Sequence, residues 1–205
     1  LLVGHSTTGT LNAAEDNTGV GIDALDALSS GDHNTAVGSS AGSAINTGAY
    51  NTIVGSLAGS AIAGGSSIVA IGHQAAVTMT SGSEMIAIGP NACYHNTGNK
   101  NTAVGKGALL GASGASSGAN NSAFGNVALA AITSGAGNIG LGYQSGNNIT
   151  SGSGNVVIGN ADVSSATGSD QLSISDGEDG SVVWITGEST GNVEISEVWN
   201  PSLST

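Results

Sequence analysis

Asn34-Thr35-Ala36-Val37-Gly38 returns as Asn51-Thr52-Ile53-Val54-Gly55 and again as Asn101-Thr102-Ala103-Val104-Gly105. Looser copies are Asn17-Thr18-Gly19-Val20-Gly21, Asn121-Ser122-Ala123-Phe124-Gly125, Asn138-Ile139-Gly140-Leu141-Gly142 and Asn155-Val156-Val157-Ile158-Gly159. The closing glycines run from Gly4 through Gly21, Gly38, Gly55, Gly72, Gly89, Gly105, Gly125 and Gly142 to Gly159. They stand 17 residues apart, except for a 16-residue step into Gly105 and a 20-residue step into Gly125. A fixed period of this kind marks a stack of like supersecondary units.

Counted from each anchor glycine, the −1 column reads Val20, Val37, Val54, Ile71, Ile88, Val104, Phe124, Leu141 and Ile158. The −3 column is Thr, Ser, Val or Ile, and the −2 column is mostly Ala or Gly. Side chains alternate along a strand, so the −1 and −3 columns share one face and the −2 column takes the other. The β-branched, apolar −1 column is expected to form the structural core. The smooth −2 face is expected to receive another chain. Beyond the glycine come an alanine column (+3), an apolar column (+7) and a second glycine column (+10). A coil then reads as a strand, a Gly turn, a short second strand and a Gly-containing loop. Glycine at both corners is expected to serve positive φ. Frequent glycine and an apolar period unlike 3.6 disfavour helices. Asparagines in register should form a ladder along one edge, broken at Ile68 and Met85.

Composition narrows the function. Of 205 residues, 35 are Gly and only 8% are charged, against about 25% in ordinary domains. Apolar residues held in phase exclude a disordered linker. A net charge of −12, with Lys100 and Lys106 the only cations, argues against nucleic acid and polybasic membrane contacts. No run of 18 apolar residues is present, so no membrane insertion by a helix is expected. Cys93 is the only cysteine, which excludes an intrachain disulfide. The chain starts at Leu1 rather than Met, which leaves room for a longer parent protein.

The repeat Asn-Thr-Ala-Val-Gly-x-x-Ala resembles the head repeat of trimeric autotransporter adhesins. It is still more similar to repeat regions of bacteriophage tail fibres, over roughly residues 1–159. The longer coil and the Asn-Thr opening favour the fibre. The resemblance implies an all-β, trimeric parallel β-roll or β-solenoid of 17-residue coils. Its three left-handed rolls would share an axis. It also implies a non-enzymatic structural segment, shaft or head, that spaces or presents a host-receptor contact. Its partners would be two further copies of the chain, other fibre or tail proteins, and a host cell-surface glycan or protein. The implied location is the virion. The alternative is a trimeric adhesin head on a bacterial cell surface. A fibre-borne polysaccharide depolymerase is a third reading, but no carboxylate pair in one groove is visible.

Residues 1–175 are assigned to the roll and residues 176–205 to a C-terminal cap or connector. Gln171–Ser175 reads as a last strand copy with Ser175 in the anchor position. Residues 181–195 read as a hairpin. A solenoid end needs covering, because an open coil exposes core and strand edge. A sharper reading makes the tail a sugar-binding tip, with Trp184 or Trp199 as the receptor contact. The interval before Gly125 places an insertion at residues 111–118, read as a loop.

No catalytic or cofactor-binding residues are assigned. His5, His33, His73 and His95 do not form a ligand cluster, and the calcium repeat Gly-Gly-x-Gly-x-Asp is absent. Asp16, Asp23, Asp26 and Asp32 read as a solvated acidic face. No serine sits in a nucleophile elbow, and the glycine corners are periodic turns rather than a phosphate loop. Cys93 reads as a packed small residue.

Overall fold

The computed structural model describes residues 2–3, 14–112 and 116–196. Its strands are β1 (Leu2–Val3), β2 (Thr18–Val20), β3 (Thr35–Val37), β4 (Thr52–Val54), β5 (Val69–Ile71), β6 (Ile86–Ile88) and β7 (Thr102–Val104). They continue as β8 (Ser122–Phe124), β9 (Ile139–Leu141), β10 (Val156–Ile158), β11 (Leu172–Ser175), β12 (Val183–Gly187) and β13 (Val193–Ile195). All lie in one sheet in chain order. From β1 to β11 every neighbour is parallel, and equal repeat positions become ladder partners. Thr35 faces Thr52, Ala36 faces Ile53 and Val37 faces Val54. The long interval before Gly125 does not disturb this register, since Val104 still faces Phe124. The chain is therefore an all-β solenoid that climbs one strand per coil.

Two glycine columns permit the stacking, for different reasons. Gly38 and Gly55 have φ of 134° and 135°, which is sterically closed to residues with a β carbon. A β carbon on Gly38 would also stand 2.7 Å from the carbonyl of Gly55. The +10 glycines are not in positive φ. Their constraint is close approach, because a β carbon on Gly48 would lie 2.2 Å from the Gly65 oxygen. The expectation of positive φ at both corners thus holds only for the anchor column.

Among the described residues the expected second strand does not form, apart from an isolated parallel bridge between Asn96 and Ser116, and residues 21–27 of the coil after β2 are turns and bends. The coil must reverse within a few residues, and alternating left-handed backbone achieves this. Gln74 (φ 57°) and Ala76 (φ 53°) show the pattern. The Gln74 N–H donates back to Ser56 at 3.0 Å, and the Ala76 N–H donates forward to Ala92 at 2.9 Å. This side is therefore stitched to both neighbouring coils without extended geometry.

The inside and outside of the strand are the reverse of the expectation. The −2 residues Ala36, Ile53, Ala70, Ala87, Ala103, Ala123 and Val157 are completely buried. They pack on the +3 alanines and on Leu28, Ile45, Ile62, Met79, Ile132 and Ile149. None of Val20, Val37, Val54, Ile71, Ile88, Val104, Phe124, Leu141 and Ile158 belongs to this core. The physical reason is the width of the coil. Alternation fixes which residues share a face, not which face is inside. So narrow a coil has room for a large side chain from only one wall at each level. The strand wall and the +4 position trade volume accordingly. A β carbon on Gly59 would stand 3.2 Å from Ile53 Cδ1, and one on Gly140 would stand 2.8 Å from Leu129 Cγ.

The asparagine column is also interior rather than at an edge. Asn34, Asn51, Asn101, Asn121, Asn138 and Asn155 are buried. Each oxygen accepts from the coil above, each side-chain amide donates to a glycine carbonyl, and those of Asn51, Asn138 and Asn155 also donate to the asparagine below. The Asn138 Oδ1 accepts the Asn155 N–H and Nδ2, both at 2.9 Å. The Asn138 Nδ2 donates to Asn121 Oδ1 at 3.0 Å and to the Gly152 carbonyl at 2.9 Å. Buried amides need such partners. Met85 removes the acceptor beneath Asn101. Asn96, standing in the +7 column that holds Met79 and Ile132 in other coils, accepts the Asn101 Nδ2 at 2.9 Å instead.

Parallel pairing ends with β11. Strand β12 then runs antiparallel on β11, with a bulge between Ile174 and Ser175, and β13 runs antiparallel on β12. The hairpin expected at residues 181–195 is therefore present, and it prolongs the sheet of the roll.

Candidate functional site

The most distinctive surface follows from the outward placement of the −1 column. Val20, Val37, Ile71, Phe124, Leu141 and Ile158 are 36–49% exposed, although each lies in a strand with neighbours above and below. Ile86 and Ile139 of the −3 column are exposed beside them. Strand geometry sets the two columns about 7 Å apart and the rungs about 4.8 Å apart. The strip is narrow, straight and several coils long. None of its positions in β2–β11 carries a charge, although the chain has 14 acidic residues and two basic ones. Long apolar patches on isolated chains mark interaction surfaces. The small −2 face, expected to receive another chain, is sealed inside the roll and takes no part.

The charged side chains of the coils, and aromatic residues other than Phe124, lie elsewhere. On the −5 corner, the His33 ring stacks on Tyr50 with centroids 5.0 Å apart. His33 Nδ1 also approaches Asp16 at 3.6 Å. Lys100 reaches Glu84 at 4.0 Å. These are solvated neighbour pairs, of the kind that contributes little stability. His95 packs edge-on against Tyr94. Among the described residues, no three His, Cys, Asp or Glu side chains are grouped to hold a metal ion. His5 and part of the insertion at residues 111–118 lie outside the described residues. Cys93 is buried, and burial pushes its thiol up to about 12, so it is a packing residue.

Trp184 is 46% exposed on β12. Trp199 lies outside the described residues. A polar cleft behind the hairpin is lined by Asp162, Ser164, Ser173, Thr186, Glu188 and Glu194, and Trp184 is not part of its lining. The proposed aromatic contact and this hydroxyl- and carboxylate-rich cleft are thus separate features.

No family model, curated protein or solved structure matches the chain. Its function is therefore argued from the strip itself. The outward placement of the strip was missed in the sequence, yet a signal for it is present. The −2 column varies in size against the +4 column, as Ile53 with Gly59 and Gly140 with Leu129 show. Such compensation is the mark of facing positions in one core. The −1 column shows no such partner.

Proposed function

We propose that this chain is a non-enzymatic structural segment of a trimeric fibre, of the bacteriophage tail-fibre kind, that spaces or presents a contact to a host surface. The observation that carries this reading is the uncharged apolar strip on the outside of the coils. Left open, it would expose Val, Ile, Leu and Phe at almost every rung. A partner that covers it must repeat at the same spacing over the length of the roll, and another copy of the chain does so by construction. Copies arranged around a shared axis close the surface without unlimited growth. The number three comes from the likeness of Asn-Thr-Ala-Val-Gly-x-x-Ala to trimeric fibre and adhesin repeats. The mechanism is mechanical: many small coil-to-coil interfaces add into a stiff rod. Attachment to other fibre or tail proteins, and to a host glycan or protein, belongs to the ends of such a rod.

Light scattering on the segment tests the assembly. A mass three times the 19.5 kDa of the chain is expected. A stable monomer at micromolar concentration would remove the basis of the fibre reading.

A further inference from the structure

We infer that the C-terminal hairpin is part of the same self-association face as the coils, and that what covers it is the equivalent hairpin of further copies of this chain. This rests on the fibre reading above and extends it to a segment that otherwise looks like a simple end-piece.

The register makes the face continuous. Leu172 of β11 stands opposite Gly187 of β12, and Ile174 stands opposite Ile185. Gly187 in turn faces Val193 of β13, and Ile185 faces Ile195. Residues directly opposite in a sheet share a side. Leu172 and Ile174 belong to the −3 and −1 columns, since they pair with Val156 and Ile158. The outer columns therefore run unbroken from β2 to β13, a span of about 50 Å at the usual strand spacing. Val193 and Ile195 are 59% and 73% exposed.

The other side of the hairpin supplies the decisive contrast. In the coils, the side carrying Ala36 and Ile53 is apolar because it faces the core. In β11 that side carries Ser173, which pairs with Thr186, which pairs with Glu194, and Ser175, which pairs with Val183. Among the described residues the roll encloses no core beyond its last coil, and this side, Val183 apart, turns polar there. A hairpin folded only on its own chain would have no use for Ile185, Val193 and Ile195 on the opposite side. Their apolar character continues the strip that the coils present to other copies. Among the described residues the outer edge of β13 has no strand partner, and open strand edges recruit other chains.

Single-cysteine reporters test this in the full chain. The variants are Ile195→Cys and Val193→Cys on the apolar side, and Thr186→Cys on the polar side. Cys93 is completely buried and stays silent. Each variant is first weighed by light scattering, then treated with a short bismaleimide and run on a denaturing gel. The expected result is that the Ile195→Cys or Val193→Cys trimer links two of its three chains, while Thr186→Cys gives at least tenfold less linked product. Trimers that link at neither apolar site, or equally at Thr186→Cys, would overturn the inference and leave the fibre reading intact. A monomeric unaltered chain would remove both.

Discussion

At the scale of single residues, stability is concentrated in positions that are identical from coil to coil. Gly38→Ala forces a β carbon into φ 134° and to 2.7 Å from the Gly55 carbonyl. It should cost at least 1–3 kcal/mol, roughly the range of other strained backbones. Gly177→Ala, with open space around the site, should leave the thermal midpoint unchanged, and the two melting curves measured together decide this. In the asparagine column, Ile68 and Met85 prove that apolar bulk fits. Asn138→Met should nevertheless cost about 1–3 kcal/mol, because the Gly152 carbonyl and the Asn155 amide lose their partner. Asn138→Asp should cost more at neutral pH, since a buried charge replaces two donated hydrogen bonds. Equal denaturation midpoints for the two variants would contradict the interior ladder. Cys93 adds a pH effect with a defined sign. Its folded thiol titrates at about 12 rather than 9.0. The unfolded chain therefore loses that proton first, and stability should fall as pH rises from about 9 toward 12. Cys93→Ala should show a shallower loss over that window, read from denaturation midpoints at each pH.

At the scale of one coil, the core is a volume exchange between two walls. Leu129 fills the space left by Gly140, whose added β carbon would meet Leu129 Cγ at 2.8 Å. Leu129→Ala should cost about 2–5 kcal/mol. Gly140→Ala alone should also destabilise. Together the two changes should cost less than their sum by at least about 0.5 kcal/mol, because the methyl group is then relieved of its shortest contact, leaving those to Ser145 at 3.0 Å. Strict additivity in a double-mutant cycle would mean the two walls do not meet. This exchange also explains what the sequence did and did not disclose. The period, the strand positions, the parallel register and the final hairpin were legible, because anchor glycines and columns repeat in phase. The inside of the strand was not. Val37 looks like a better core residue than Ala36 by every single-residue preference. Only the width of the closed coil, a tertiary quantity, puts Ala36 inside. The second side of the coil was misread for a related reason. Ser40, Leu57, Gln74 and Asn91 adopt positive φ, and none of these residues except Asn signals that conformation.

At the scale of the whole molecule, the roll combines a net charge of −12 with one uncharged apolar strip. A highly acidic chain resists association wherever charges meet. On the proposed reading, contact between copies is confined to the surface that carries none, and the acidic corners remain in water. In the proposed assembly the same strip, prolonged by Ile185, Val193 and Ile195, would set the direction of association along the roll. Two substitutions one residue apart separate fold from assembly. Ala70 is completely buried, and Ile71 points outward. Ala70→Asp should disrupt the coil itself, with loss of β circular dichroism, because a buried carboxylate lacks a partner. The most direct test is the mass of Ile71→Asp in solution, measured beside its circular dichroism. The account predicts a folded β-roll that scatters as a single 19.5 kDa chain, while the unaltered protein scatters as three. A variant that remains trimeric, with unchanged resistance to dissociation, would contradict the assignment of the outer strip as the interface.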